Sequence, residues 1–521
     1  MKKKITYNVN EKVVEREINY IPVRYIIAIT ITVLEIAAVI GTVVLCCAYI
    51  PYFYIAALLT EIGCIIKIIA TDDNPDYKVP WIIIILVLPI AGFMLYFLFY
   101  SRTLNKKFTK RMKFTHQNLY RNDDPEIFTS LEREDKLAAR GVNMLTDISG
   151  VSLYRAEHTS YYPLGEDMHS AMLEDLRSAE KFIFMEYFII EEGEFWGSIL
   201  EILKEKASHG VEVRVVYDDI GCMSTLPGNY YKILAQYGIK TVTFSRLRGN
   251  ADSEFNNRSH RKICVVDGRV GYTGGVNIAD EYINKVVRFG HWKDVGVRIT
   301  GTAVNELTNL FLLDYNMNSR VADTDLDCFY NRTKFHTGRG YIVPFGDGPR
   351  PMYTRNVSKC AIQNMLATAR DYVYITTPYL IIDNELCASL ESAALRGIDV
   401  RIVLPHIPDK KLVFMMSRSF YSRLMRAGVR IYEYVPGFIH AKTYLCDDVS
   451  AIVGTVNLDY RSLVHHFENG VWMYGTECIG DIRRDLNAVI EKSIEIHEQD
   501  IKAGIFTRFA RSVIRLFAPM L

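Results

Sequence analysis

The chain has 521 residues, 49% of them hydrophobic, with 61 lysines and arginines against 60 aspartates and glutamates. A net charge of +1 gives no global basic field for nucleic acid. The length allows a membrane segment plus two domain-sized units. The ten cysteines show no C-x-x-C pair, so free thiols in a reducing compartment are expected rather than disulfides or a zinc site.

From Tyr25 to Ile50 the chain is apolar apart from Glu35, and long enough to span a bilayer. A second run, Tyr52 to Ala70, is interrupted by Glu61 and Lys67. A third, Val79 to Tyr100, carries no charge and places Trp81 near one end and Tyr96 and Tyr100 near the other, which makes it the cleanest span. No small-residue cleavage site follows the first run, so it reads as an anchor rather than a removed signal peptide. Lys2, Lys3, Lys4, Lys12, Arg16 and Arg24 precede the first run; Arg102, Lys106, Lys107, Lys110, Arg111 and Lys113 follow the third. The positive-inside rule puts both flanks in the cytoplasm and requires an even number of crossings. Two are expected, with the charged middle run re-entrant or merged with the first.

Beyond this basic linker, helical and strand patterns alternate. DMHSAMLEDLRSAE precedes KFIFMEYFII, ILEILKEKASHG precedes VEVRVVYDD, and YKILAQYGIK precedes TVTFSRL. The order then repeats: AIQNMLATAR before YVYITTPYLII, LESAALRG before IDVRIVLPH, YSRLMRAGVR before IYEYV. Short β-rich runs between helical patterns with glycine at the C-caps predict α/β units on a mostly parallel sheet. Four segments are expected: a membrane anchor over 1–113, a first half over 114–325, a second half over 326–498, and an amphipathic helix over 499–521.

Each half ends its repeat with the same polar pattern. His260, Lys262, Asp267, Gly274 and Asn277 recur in register as His440, Lys442, Asp447, Gly454 and Asn457. His and Lys at i and i+2 of a strand face the same way. Two such strands brought together would present two imidazoles and two ammonium groups to one point, with Asn277 and Asn457 as neutral donors. That set suits a phosphodiester: one His attacks phosphorus, the other protonates the leaving alcohol, and Lys and Asn hold the non-bridging oxygens. No carboxylate cage stands nearby, so no metal is expected. A lone His-x-Lys is almost always a solvated surface pair, but two in-register copies favour one bipartite site. His291, His465 and His466 are expected to be surface or packing residues.

NNRSHRKICVVDGRVGYTGGVNIADEY and PGFIHAKTYLCDDVSAIVGTVNLDYRSL resemble the two signatures of bacterial cardiolipin synthases, within the phospholipase D superfamily named for the His-Lys-Asp motif. VPWIIIILVLPIAGFMLYFLF resembles the membrane-anchor segment of that family, and the resemblance covers almost the whole chain. It implies two phospholipase D-like repeats about a pseudo-twofold, preceded by N-terminal transmembrane helices, with both motifs at the seam. It further implies transfer of a phosphatidyl group from one phosphatidylglycerol to another through a phosphohistidine, without metal, nucleotide or other cofactor. His260 is then the nucleophile and His440 the general acid and base, with the reverse assignment open. Lys262 and Lys442 would bind phosphate beside Asn277 and Asn457, and Asp267 and Asp447 would support the motif loops. Asp294 in HWKD and Glu468 in HFEN occupy the places where the superfamily carries an acid that orients each imidazole.

The resemblance places the chain in the bacterial cytoplasmic membrane as a multi-pass protein, with its catalytic part facing the cytoplasm. Its expected partners are phosphatidylglycerol and anionic lipids and no nucleic acid, and a homo-oligomer is left open. A phospholipase D-type hydrolase or another phosphatidyltransferase is the alternative, since the covalent step is shared. A nuclease is disfavoured by the near-neutral charge and the anchor, and a non-enzymatic scaffold by two intact motifs. The tail, with Phe506, Phe509, Val513, Leu516 and Phe517 on one face and Arg508, Arg511 and Arg515 interleaved, reads as an interfacial helix.

Overall fold

The computed structural model describes residues 2–9, 12–19, 23–49, 51–100, 106–122, 124–246, 256–319, 322–333, 338–502 and 504–518. Two sheets dominate it, and they repeat one strand order. In the first the order is Thr159–Tyr162, Gly296–Thr300, Val270–Gly274, Ile263–Val266, Phe182–Tyr187, Glu212–Asp218 and Lys240–Phe244. In the second, Tyr341–Asp347, Glu468–Tyr474, Ser450–Gly454, Thr443–Cys446, Tyr372–Thr376, Asp399–Pro405 and Arg430–Tyr434 follow in the same order. The second sheet gains one strand at each edge, Tyr154–Arg155 and Ser493–Ile496.

The sheets are mixed rather than mostly parallel. Only Phe182–Tyr187, Glu212–Asp218 and Lys240–Phe244, and their counterparts in the second half, run parallel to one another. The remaining pairs are antiparallel. The reason is local. Asp267–Gly268 and Asp447–Asp448 have positive φ at both positions, in tight turns of three residues that join directly paired strands, and a strand leaving such a turn must reverse.

The inner faces of the two sheets share one core, in which Phe184, Val265 and Val297 join Leu445, Val453 and Val471. The Val304–Asn318 helix is buried in this shared layer, and nearly every one of its residues is inaccessible. A second cluster packs helices on the outer face of the first sheet, and a third does so on the second sheet. That third cluster also takes Ile127, Leu131, Val142 and Leu145. The helices Pro125–Glu134 and Lys136–Ser149, which fall within the expected first half over 114–325, therefore pack with the second.

At the N-terminal end, helices α1 (Val23–Tyr49), α2 (Pro51–Ile69), α3 (Pro75–Val87) and α4 (Pro89–Phe99) follow one another. The charged middle run forms one continuous helix, α2. The run from Val79 to Tyr100 is not a single span. Leu88, forced out of the helical region by Pro89, breaks it at φ −129° and ψ 74°. The chain then doubles back: Tyr77 meets Tyr100 at 5.2 Å and Trp81 meets Tyr96 at 5.8 Å between ring centroids. A Cβ on Gly92 would fall 2.6 Å from Ile84 O, so only glycine lets the two helices approach this closely. Among the described residues no helix is long and apolar enough to cross a membrane. The C-terminal helix Ile505–Leu516 presents Phe509 and Val513 to the exterior, while Arg515 lies 4.4 Å over the Phe420 ring and Ala518 is buried. The side chains of Phe506 and Arg508 lie outside the described residues.

Candidate active site

Each motif histidine follows directly on a backbone pairing with the opposite half, an isolated bridge at Ser259 and the short strand Gly437–Ile439. His260 N donates to Phe467 O at 2.8 Å, and Phe467 N donates to Arg258 O at 2.9 Å. In the related arrangement His291–Lys293 runs parallel to Gly437–Ile439, and His440 N donates to Lys293 O at 2.7 Å. The next residue on each partner strand is an acid, Glu468 after Phe467 and Asp294 after Lys293. The pairing sets each acid against the other half's histidine. His260 Nδ1 is 2.9 Å from both Oε1 and Oε2 of Glu468, and His440 Nδ1 is 2.6 Å from Asp294 Oδ2. A carboxylate on Nδ1 fixes the ring and its tautomer, and leaves the Nε2 lone pair for chemistry. Both acids are fully buried, and each histidine is 7% exposed.

Lys262 and Lys442 are buried beside them, each ammonium donating to the carbonyl of its own motif histidine, at 2.7 Å for Lys262. Burial drives His260 well below the ordinary imidazole range, and Lys262, Lys442 and His440 push the same way. His440 is lowered to about 4, by burial first and then Lys442, with Asp294 opposing. Groups of one half thus shift the histidine of the other, so the two motifs form one electrostatic site. Burial also lowers Lys262 to about 7 and Lys442 to about 8, against the pull of Glu468 and Asp294. Such a cluster holds its protons weakly until an anion enters.

The two orienting acids are not equivalent. Burial raises Glu468 to about 7, against Lys262 and Thr455. Burial acts on Asp294 too, but His440 and Lys442 outweigh it and keep that carboxyl below its usual range. The local fit differs as well. A Cβ on Gly275 would fall 2.0 Å from Asp294 Oδ1, so the shorter acid uses the space a glycine leaves. The matching position of the second half is Thr455, whose hydroxyl donates to Glu468 Oε2.

Asp267 and Asp447 lie at the far ends of the motif strands from the histidines. Asp267 accepts from the backbone N–H of Glu180 (2.9 Å), Lys181 (2.8 Å) and Phe182 (2.8 Å). Asp447 accepts likewise from Arg370 (2.8 Å), Asp371 (2.9 Å) and Tyr372 (2.8 Å). Each clamps the hairpin turn to the start of the neighbouring strand. Asn277 accepts from Ile189 N at 3.1 Å and donates to Tyr282 OH at 2.8 Å, while Asn457 donates to Asp459 Oδ2 at 3.0 Å.

Three features escaped the sequence. His466, expected at the surface or in packing, packs beside the site itself: its ring lies 5.7 Å from that of His260, and its Nδ1 is 3.8 Å from Glu468 Oε1. Among the described residues, His260, His466 and Glu468 have donor atoms close enough to converge on one metal ion, but Lys262 and Arg461 stand beside them and oppose a cation. Second, the residues flanking His260 are anchored by buried ion pairs. Arg258 Nη2 donates to Asp218 Oδ1 at 2.8 Å, and Arg261 Nη1 donates to Asp314 Oδ2 at 2.9 Å. The acid ending VEVRVVYD was the one visible signal. Third, aromatic rings wall the other histidine, with Tyr282 at 5.4 Å and Trp292 at 5.7 Å from His440.

Residues 172–307 and 362–490 match the family described as cardiolipin synthase, phospholipase D-like domain, and residues 62–99 match the phospholipase D-nuclease N-terminal family. The chain is 39% identical to an uncharacterized protein of Streptococcus mutans over 88% of its own length and 100% of that protein. It is 32% identical to a cardiolipin synthase of Oceanobacillus iheyensis over 86% of its length and 94% of that enzyme. A phosphatidylserine synthase of Haemophilus influenzae shares the fold at a TM-score of 0.56 and 14% identity, over 74% of this chain and 100% of that one. The duplicated motif, the crosswise pairs and these matches place the chain in the phospholipase D-like cardiolipin synthase family, as a phosphatidyltransferase.

Proposed function

We propose that the protein is a cardiolipin synthase that joins two phosphatidylglycerols and releases glycerol. The observation that carries this reading is the buried pair of imidazoles, each held at Nδ1 by an acid of the other half, with a buried lysine bonded to the carbonyl of each histidine. His260 Nε2 attacks the phosphorus of the first phosphatidylglycerol, and the bond from phosphorus to the glycerol headgroup oxygen breaks. His440 gives its Nε2 proton to that oxygen. The phosphatidyl group is then held on His260 through a P–N bond. The terminal hydroxyl of a second phosphatidylglycerol loses its proton to His440 and attacks phosphorus, and the P–N bond breaks to leave cardiolipin.

Lys262 and Lys442 meet the non-bridging oxygens, and Asn277 and Asn457 add amide N–H donors, each nitrogen having a second hydrogen beyond its internal bond. Burial lowers His440 first and the lysines second; the phosphodiester anion offsets the lysines' share and so favours the protonated His440 that the first step needs. Asp267 and Asp447 keep the motif turns in place.

In this reading the N-terminal helices lie in the bacterial cytoplasmic membrane. Val33, Leu34, Val44, Leu59 and Val87 are each more than half exposed, surface that suits lipid and not water. The basic flanks favour the cytoplasmic face for both ends of this segment. The test is incubation of purified protein with labelled phosphatidylglycerol. Cardiolipin plus glycerol is the expected outcome; phosphatidic acid plus glycerol alone would make the protein a hydrolase and overturn the proposal.

A further inference from the structure

Beside His440 the seam between the halves opens onto an apolar rim. On one side is the loop Asn284–Gly290, whose Val286 is 51% and Val287 80% exposed. On the other, Ile407 and Leu412 are 37% and 47% exposed. The two sides touch: a Cβ on Gly290 would fall 3.4 Å from Ile407 Cδ1. Water-exposed valines at a loop tip have no role in the core, and folding alone gives no reason to keep two of them together.

A path of rings leads inward from this rim. Phe289 lies 6.1 Å from Phe438, which lies 6.0 Å from His440. Cations flank both tips. Lys285 and Arg288 bracket the valines, and Lys410 and Lys411 precede Leu412. Lys285, Arg288 and Lys410 reach Glu194, Glu281 and Asp409 at 2.9, 2.8 and 3.6 Å, yet each remains more than half exposed. An apolar tip between cations fits a bilayer surface, with valine below the headgroups and the ammonium and guanidinium groups at their phosphates.

Close in sequence to a residue bonded to the rim, the second half meets the N-terminal helices. Tyr379 OH donates to Asp409 at 2.6 Å, and a few residues on, Asn384 N donates to Asp76 Oδ2 at 2.6 Å at the start of α3. We infer that the loops around Val286–Val287 and Ile407–Leu412 dock onto an anionic lipid bilayer, with the packed rings of Phe289 and Phe438 tying that docked rim to His440. This inference rests on the lipid substrate proposed above.

It is tested in the full-length protein reconstituted into vesicles containing phosphatidylglycerol. An environment-sensitive dye goes on Val287→Cys in a Cys328→Ser background, since Cys328 is the exposed free cysteine among the described residues. A control carries it on Glu180→Cys, at the opposite end of the first sheet. The dye at 287 should shift to an apolar emission and be quenched by lipid-borne nitroxide, while the dye at 180 should not. Equal, water-like behaviour at both positions would overturn the inference. So would quenching that follows protein density instead of lipid, which would assign the rim to a second copy. In the same vesicles Val286→Ser with Val287→Ser should lower the ratio of vesicle to detergent-dispersed turnover about tenfold. A wild-type protein that forms no cardiolipin in either medium would refute the proposed function while leaving the dye result to stand on its own.

Discussion

Glu468, on a strand of the second half, holds His260 of the first half with both carboxylate oxygens at 2.9 Å from Nδ1. Asp294 returns the relationship, 2.6 Å from His440 Nδ1. Each motif histidine is therefore held by an acid of the other half.

This crossing predicts that acid and histidine of opposite halves act as units. Asp294→Asn and Glu468→Gln should each lower turnover about 10- to 100-fold, because a neutral amide no longer holds the imidazole in its working tautomer. Gly275→Ala should approach the effect of Asp294→Asn, since its Cβ would displace the carboxylate from His440. Steady-state rates on labelled phosphatidylglycerol check this, and wild-type turnover in Gly275→Ala would contradict it.

The assignment of the nucleophile predicts an asymmetric trap. His260→Ala should give neither cardiolipin nor a labelled protein adduct. His440→Ala should still let some labelled phosphatidyl-enzyme accumulate, because the group that accepts phosphorus is intact. Acid-quenched gels with phosphorus-labelled lipid read this directly, and the opposite pattern would exchange the two roles.

Anion affinity should fall with rising pH. A lysine grips phosphate only while protonated, and in the ligand-free site Lys262 titrates near 7 and Lys442 near 8. Both are charged on the acid side of those values and lose charge above them. Dimethyl phosphate, a diester that stays a monoanion throughout, should therefore bind well below about pH 6.5 and weaken progressively through about pH 7 to 8. Calorimetric titration across that window is the measurement, and a flat affinity would mean that the lysines stay charged throughout.

Asp267 serves the fold rather than the chemistry. Asp267→Ala leaves three backbone N–H groups without their acceptor and should cost about 3 kcal/mol of stability. Denaturant midpoints measure that loss. Activity per folded molecule should survive far better than in His260→Ala, and the reverse balance would put Asp267 in the reaction.

The sequence by itself determined the duplication and the two His-Lys-Asp motifs, because a strand's period of two and exact register survive as spacing along the chain, while the acids of HWKD and HFEN were marked by the family resemblance alone. It also showed helices alternating with strands, since hydrophobic periodicity is a local property. It did not give strand direction: the turns at Asp267–Gly268 and Asp447–Asp448 reverse strands that alternation suggested were parallel. Nor did it show that Leu88 and Pro89 fold the most apolar run back on itself, although the proline was in plain view. Only the tertiary structure decided which acid serves which histidine. The pairing of Arg258–His260 with Phe467, and of Gly437–Ile439 with His291–Lys293, joins segments far apart in the chain, and no local pattern records a contact between halves. His466 stands beside His260 for the same reason, since a residue's burial is set by what packs over it.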